Sequence, residues 1–455
     1  MDQASRGVQH DRLLEFVEAE RTRYRSARPK SAALADSSEA DPYFGGTPMH
    51  WMLDWPVPFL PVVAEARGAC LIDIDGNRLA DFCLGDSGSM FGHSPEPVAR
   101  ALEAQAGRGL TAMLPSQDAP AVGRMLRERF RLPQWQIATT ASDANRFALR
   151  LARAVTDRPR SLIINGCYHG AVDETYVSLQ SGVAVNRPGL MGQFVDLTLY
   201  TKVVEFNDVP ALERGLADRD VACVITEPVL TNCSMVLPQA GYHDALRRLT
   251  RAAGTLLLID ETHTISSGPG GYSVLHGLDP DILVIGKPIA GGVAASAWGF
   301  TDAIATAWDR ILKNKPAGHS GFGTTLSGNA LAMAAMRATL AEVMTESAYA
   351  HMNNQARRLA AGLDAVIARR SLPWHVVRVG ARVEFICAPG PLRNGSDAAG
   401  AQAPELECAI HLGLLNRGCL ITPFHNMMLI CPATAPAQVD QLVVAFDDVT
   451  GALLP

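Results

Sequence analysis

Residues 255–292 read TLLLIDETHTISSGPGGYSVLHGLDPDILVIGKPIAGG. Two short apolar runs, at 255–260 and 281–286, flank a stretch rich in Gly and Ser, the pattern of two buried strands joined by a connection. The first run ends on Asp260, and the second is followed at once by Lys287 and the glycine-rich turn Pro288-Ile289-Ala290-Gly291-Gly292. Upstream, further apolar runs (ACLIDIDG from 69, SLIING from 161, VACVITEP from 221) alternate with helical segments (PVARALEAQA, AVGRMLRERF, ANRFALRLARAV, DALRRLTRAA). Alternation of this kind predicts an α/β fold with a mainly parallel sheet covered on both faces. Ligands in such sheets sit beyond the carboxyl ends of the strands, which is where Asp260 and Lys287 fall.

Outside that region, residues 11–26 carry Leu13, Leu14, Val17 and Tyr24 at helical spacing, which predicts one amphipathic helix packed on another part of the molecule or on a second subunit. Residues 27–60 have a loop composition ending in the aromatic cluster Trp51, Trp55 and Phe59, which suits either core or pocket. Long helices are expected at 328–345 and 347–370, strands within 375–388 and 419–433, and a last helix near 436–450. The patch GSDAAGAQAP at 395–404 reads as a surface loop. The domain organisation that follows is an N-terminal helix and arm (1–68) joining the small domain, a large α/β domain (69–330) and a smaller α+β C-terminal domain (331–455).

The chain has 455 residues, is 48% hydrophobic and carries a formal charge of −6, so it can bury a large core and lacks the basic footprint of a nucleic-acid binder. Its opening, Met1-Asp2-Gln3-Ala4-Ser5-Arg6, runs into a charged stretch with no apolar leader. No apolar run is long enough to cross a membrane, and a cytoplasmic protein is expected. The nine cysteines are scattered without a CxxC pair, so neither a disulfide framework nor a metal site is expected. No GxGxxG follows the first strand, which sets a nicotinamide dehydrogenase aside.

Lys287 is one of only five lysines, and the other four (Lys30, Lys202, Lys313, Lys315) occupy polar or flanking stretches. An apolar strand end favours the neutral amine that Schiff-base chemistry requires. Taken alone, the segment also fits a lysine snorkelling at a strand end. Asp260 sits where a buried carboxylate is costly unless a cation or several donors pair with it. A pyridinium nitrogen would be such a partner, and a neighbouring loop would be another. The stretch Thr139-Thr140-Ala141-Ser142-Asp143-Ala144-Asn145 opens a helix with hydroxyl and acidic caps. That makes it a ready phosphate site, although every capped helix begins in a similar way. Tyr168, just after the run SLIING, suits either a stacked ring or the closure of the core.

Asp260-Glu261-Thr262, Gly286-Lys287-Pro288-Ile289-Ala290-Gly291-Gly292, Tyr168-His169-Gly170, Thr226-Glu227-Pro228 and Thr325-Leu326-Ser327-Gly328-Asn329 together resemble the class III aminotransferases over residues 45–450. The branch most like it is that of glutamate-1-semialdehyde aminomutases and β-amino-acid aminotransferases. The resemblance implies a fold type I enzyme dependent on pyridoxal 5'-phosphate, working on an amine or amino acid and a keto acid or aldehyde as a homodimer. Lys287 would carry the cofactor as a Schiff base and shuttle the proton, and Asp260 would bind the pyridine nitrogen. Thr140, Ala141 and Ser142 match the family's phosphate loop, with Thr325 reaching the phosphate from the neighbouring subunit. Tyr168 matches the residue stacked on the ring, with His169 beside it in the motif. Thr262 and His263 match positions by the ring face and its phenolic oxygen, and Glu227 lies in the active-site rim.

The chain departs from that pattern in places. Ala141 stands where the family usually has Gly, and Thr262 where it commonly has Val. Two arginines expected to anchor a substrate carboxylate are missing from residues 45–52 and 422–426. Either Arg378 or Arg382 replaces them, or the substrate lacks a carboxylate near its amine. The expected substrate-side residues are Trp51, Trp55, Arg382, Phe424 and His425. Intermolecular transamination, an intramolecular aminomutase and a non-catalytic cofactor-binding protein remain the three readings.

Overall fold

The computed structural model describes residues 7–37 and 42–454, so the opening six residues, from which the sequence argues against a leader, lie outside them. The chain divides into two compact units: Met1–Pro95, Ala350–Pro391 and Gly400–Pro455 form the smaller, and Glu96–Tyr349 with Leu392–Ala399 the larger. In the smaller unit the helix His10–Ala27 buries Leu13, Phe16 and Tyr24 and packs on the helix Pro404–Asn416. The buried Glu20 carboxylate fixes that pairing, accepting from Asn416 Nδ2 (2.7 Å) and Arg417 Nη1 (2.9 Å). Strands β1 (Val63–Arg67), β2 (Cys70–Asp73) and β3 (Arg78–Asp81) follow as an antiparallel meander.

The larger unit begins its strands with β4 (Gln134–Ala138) and β5 (Arg160–Ile164), adds the hairpin β6–β7 (Val177–Gln180, Val183–Asn186), and continues with β8 (Thr201–Val204), β9 (Val221–Thr226), β10 (Leu256–Asp260), β11 (Ile282–Ile285) and β12 (Ser296–Phe300). Its main sheet has the order β4-β12-β11-β10-β9-β5-β8, parallel from β11 to β8, with β12 antiparallel to both of its neighbours. Strands buried on both faces must be apolar throughout, and β9 and β11 are buried at every residue. The register pairs Ile259 with Thr226 and Asp260 with Val284, which brings the carboxyl ends of β9, β10 and β11 to one edge. The last strands, β13 (His375–Val379), β14 (Arg382–Ile386), β15 (Cys419–Leu420) and β16 (Met427–Leu429), belong to the smaller unit. There β15 joins β3 in parallel, and β13-β14-β16 form an antiparallel sheet.

Three expectations change. The sequence divides the chain after 68 and 330, whereas the compact units divide after 95 and 349. The run ACLIDIDG stays with the smaller unit because it forms β2 of the antiparallel meander and not a strand of the large parallel sheet. Residues after 330 stay with the larger unit because the helix Ala330–Ala338 packs on the helix Glu96–Ala106, while Arg129 donates to Leu340 O and Met344 O at 2.7 and 2.8 Å. The stretch 27–60, read as loop, contains the helix Pro29–Ala35, entered through a proline at its first turn. The patch read as a surface loop at 395–404 begins with the helix Gly395–Ala401, capped where Asn394 Oδ1 accepts from Asp397 N (2.8 Å).

Candidate active site

Asp260 ends β10 and is 4% exposed. Its Oδ2 accepts from Asn145 Nδ2 (2.8 Å) and meets His169 Nδ1 (3.0 Å), while Oδ1 accepts from the Thr262 backbone N–H (3.0 Å). Burial alone raises a carboxyl's pKa, but the His169 hydrogen bond and charge, with Thr262 and Asn145, hold Asp260 below the usual range. For His169, burial works against the charged ring, and Cys167 and Asp260 outweigh it to shift the pKa upward. Asp260 is therefore held as a carboxylate, with the His169 ring directed at its Oδ2 through Nδ1.

Lys287 follows β11 in a short 3-10 turn, Lys287–Ala290, and has φ 42°, a left-handed conformation rare for a residue with a β-carbon. Its Nζ lies 3.0 Å from His263 Nε2. The residue before it is glycine for a steric reason: a β-carbon on Gly286 would stand 2.6 Å from Ala141 Cβ and 3.4 Å from Thr262 Oγ1. The start of the helix Ala141–Thr156 thus lies directly against the lysine turn. Thr140 is that helix's N-cap, its hydroxyl accepting from Asp143 N (3.1 Å). Ser142 Oγ accepts from Ala171 N (3.0 Å) and lies where a β-carbon on Gly170 would clash, so the helix start also grips the Tyr168-His169-Gly170 loop.

Glu227 follows β9 and is buried, its Oε2 accepting from the Thr231 backbone N–H (3.1 Å) and hydroxyl. Its Oε1 lies 3.4 Å from Tyr168 N, and burial raises its pKa. Tyr168 itself is 42% exposed. Thr262 is buried, and its hydroxyl has no hydrogen-bond partner among the described residues. Thr325 lies exposed in the turn before the helix Ala330–Ala338, beside Thr324, whose hydroxyl is 3.2 Å from that of Thr139. The larger unit therefore gathers Asp260, His169, Thr262, His263, Lys287, Glu227 and the helix start.

The five substrate-side residues belong to the smaller unit. Trp51 and Phe424 meet edge to face at 5.2 Å. Trp55 packs on the cluster of Tyr24, Leu79 and Leu412 and presents its edge to His411, in keeping with a core role. Arg382 is fully buried and donates to Ser87 Oγ (2.6 Å), and His425 Nδ1 lies 3.2 Å from Glu384 Oε1. Arg378, the other candidate anchor, donates to Gly380 O (2.8 Å) at the turn between β13 and β14.

Sequence reasoning passed over two residues. Asn145 is wholly buried on Asp260, and its one signal was an amide on the apolar face that Leu149 and Ala152 continue. Glu261 is buried with its carboxylate on the Thr264 hydroxyl (2.5 Å), Tyr272 N (3.1 Å) and Ser273 N (2.5 Å). It holds the loop after β10 in place.

Pyridoxal phosphate fits this constellation. An anionic carboxylate keeps one oxygen lightly used, a lysine amine stands at the next strand end, a capped helix start adjoins both, and an orphaned Thr262 hydroxyl lies between. No group of three or more His, Cys, Asp or Glu that could hold a metal ion occurs among the described residues. No helix among them is long and apolar enough to cross a membrane.

Fold and site together define a fold type I pyridoxal-phosphate enzyme. Residues 54–448 match the model of the family Aminotransferase class-III, and the chain belongs to that family. A glutamate-1-semialdehyde-aminomutase from Pseudomonas aeruginosa PAO1 superimposes with a TM-score of 0.96 at 47% identity, over 98% of this chain and 100% of that one; a variant of it was solved in complex with PMP. A beta-phenylalanine aminotransferase from Variovorax paradoxus is 25% identical, with a TM-score of 0.85 over 97% of this chain and 99% of that one. Among curated proteins, the glutamate-1-semialdehyde 2,1-aminomutase of Anaeromyxobacter sp. (strain Fw109-5) is 33% identical over 79% of this chain and 83% of its own length.

Proposed function

We propose that the chain transfers an amino group from an amine or amino acid to a keto acid or aldehyde, in two half-reactions that share one site and give ping-pong kinetics. The observation that carries this reading is the pairing at neighbouring strand ends of a clamped anionic Asp260 with the Lys287 amine, held 3.0 Å from His263 Nε2. When bound, pyridoxal phosphate supplies the electron sink that acidifies the hydrogen on the amine-bearing carbon. In this reading Asp260 holds a proton at the ring nitrogen, and Tyr168 covers the ring while His169 supports Asp260. Thr262 and His263 stand by the ring face and its phenolic oxygen, with Glu227 at the rim. The helix start at Thr140, Ala141 and Ser142 binds the phosphate through its N–H groups. Thr325 of a second subunit completes that contact, which makes the working form a homodimer. Lys287 holds the cofactor at rest, then removes the proton from the substrate carbon and returns one, as a positioned base and acid.

On the substrate side, Trp51 and Phe424 favour an apolar or aromatic donor, and Arg382 with His425 supplies the contact to a carboxylate. The enzyme works in the cytoplasm in this reading. A second reading, intramolecular transfer by an aminomutase, is favoured by the name of the relative at 47% identity.

The absorbance of the purified protein tests both. An α-amino acid, a β-amino acid or an amine without a carboxylate that bleaches the cofactor band, with an added keto acid restoring it, supports transamination and names the donor class. Turnover of a single amino-aldehyde substrate with no acceptor present supports the aminomutase instead. A protein with no cofactor band even after added pyridoxal phosphate overturns the assignment of Lys287 and Asp260.

A further inference from the structure

We infer that Asn145 is a positioning residue that decides which oxygen of Asp260 is presented to the cofactor ring, an inference that rests on the role proposed above for Asp260. Asn145 is wholly buried in the first turns of the helix Ala141–Thr156 and spends both amide hydrogens locally, on His169 O (3.0 Å) and on Asp260 Oδ2 (2.8 Å). His169 Nδ1 approaches the same oxygen at 3.0 Å. An ionised carboxylate offers about four acceptor sites, two on each oxygen. Oδ2 is thus filled by Asn145 from the helix and His169 from the loop after β5, whereas the hydrogen bond formed at Oδ1 is from the Thr262 backbone N–H, leaving a second acceptor site on that oxygen. The carboxylate is sided, and the open position is on Oδ1.

The other half of the Asn145 amide shows that its donors are what matter. Its Oδ1 is buried and has no hydrogen-bond partner among the described residues, an arrangement that costs free energy and that an apolar residue of similar size avoids. The amide also sits one turn beyond Ala141, whose methyl group lies against the position of Gly286 next to Lys287. One helix therefore sets the carboxylate and abuts the lysine turn.

The test compares Asn145→Leu with the unaltered full-length chain, measuring the affinity of the cofactor-free protein for pyridoxal phosphate and for its analogue with carbon in place of the ring nitrogen. Both ligands share the aldehyde and the phosphate, so their ratio isolates the ring-nitrogen contact. The unaltered chain should prefer pyridoxal phosphate. Asn145→Leu should shrink that preference about tenfold or more, the effect of one hydrogen bond to a charged group, while leaving the carbon analogue's affinity in place. An equal loss for both ligands makes Asn145 merely structural and overturns the inference, as does an unchanged ratio. If the unaltered chain shows no preference, the role of Asp260 falls and the inference falls with it. Asn145→Ala serves if the leucine variant does not fold, and failure of both to fold also assigns Asn145 a structural role.

Discussion

Lys287 combines two demands on one residue. Its side chain is placed beside His263, while its backbone occupies the left-handed region at φ 42°, where a β-carbon costs about 1–2 kcal/mol. Strain of this kind persists only where the surroundings hold it, and here the Gly286 turn packed on Ala141 does so. Two variants separate the demands. Lys287→Ala keeps the β-carbon and hence the strain, and should lower turnover by about 10²–10⁴-fold through loss of the proton shuttle. Lys287→Gly should be equally inactive, yet unfold at a higher urea concentration than Lys287→Ala in the cofactor-free form, by about 1 kcal/mol. Equal midpoints would show that the strain is absent in solution.

At the scale of elements, the helix Ala141–Thr156 is the part on which the site depends. Its cap is local: Thr140 accepts from Asp143 N and donates to Asp143 Oδ2 (3.0 Å), a pairing that the run of hydroxyl and acidic residues already announces. Its placement is long-range, through Asn145 on Asp260, Ser142 on Ala171 and Ala141 against Gly286. The last contact also accounts for a departure noted in the sequence, since Ala141 stands where the related enzymes usually have glycine and its methyl group uses space that Gly286 leaves open. Gly286 has φ −125°, so an added methyl there meets packing and no torsional penalty. Gly286→Ala should accordingly cost about 1–3 kcal/mol of stability in denaturant melts and weaken pyridoxal phosphate binding by pushing the helix start from the lysine turn. Ala141→Gly added to it should recover most of both losses. A double variant no better than the single one would refute the contact.

Across the whole molecule, stability should depend on pH through a histidine far from the chemistry in sequence. His411 is buried in the smaller unit, with Nε2 3.1 Å from Ile421 O and Nδ1 without a hydrogen-bond partner among the described residues. Burial pushes its pKa down to about 4, with the Ile421 carbonyl opposing. The unfolded chain, with an ordinary histidine pKa of about 6.5, binds the proton first as pH falls. The contribution of neutral His411 is therefore complete above about pH 6.5 and is lost between there and about 4, at up to about 1.4 kcal/mol per pH unit. Urea unfolding at pH 7 and pH 5 should show a smaller difference for His411→Gln than for the unaltered protein, and identical differences would reject this source. The two compact units also show where local reading gives out. The run ACLIDIDG reads as well for a parallel sheet as for the meander it joins, because an apolar run states that a strand is buried and not which strand lies beside it.

The sequence by itself determined four strands of the main sheet, β5, β9, β10 and β11, together with the capped helix start and the acid and the lysine at the ends of neighbouring strands. Each is written in a short local pattern: an apolar run, a cap, a residue at a strand end. Only the tertiary structure decided that Asn145 and His169 hold one oxygen of Asp260 across separations of 115 and 91 residues, that Ala141 meets Gly286, and that the units divide after 95 and 349. The physical reason is that periodicity specifies which face of an element leaves water. The partner met by a buried polar group depends on strand order and register, which arise only when the whole sheet assembles.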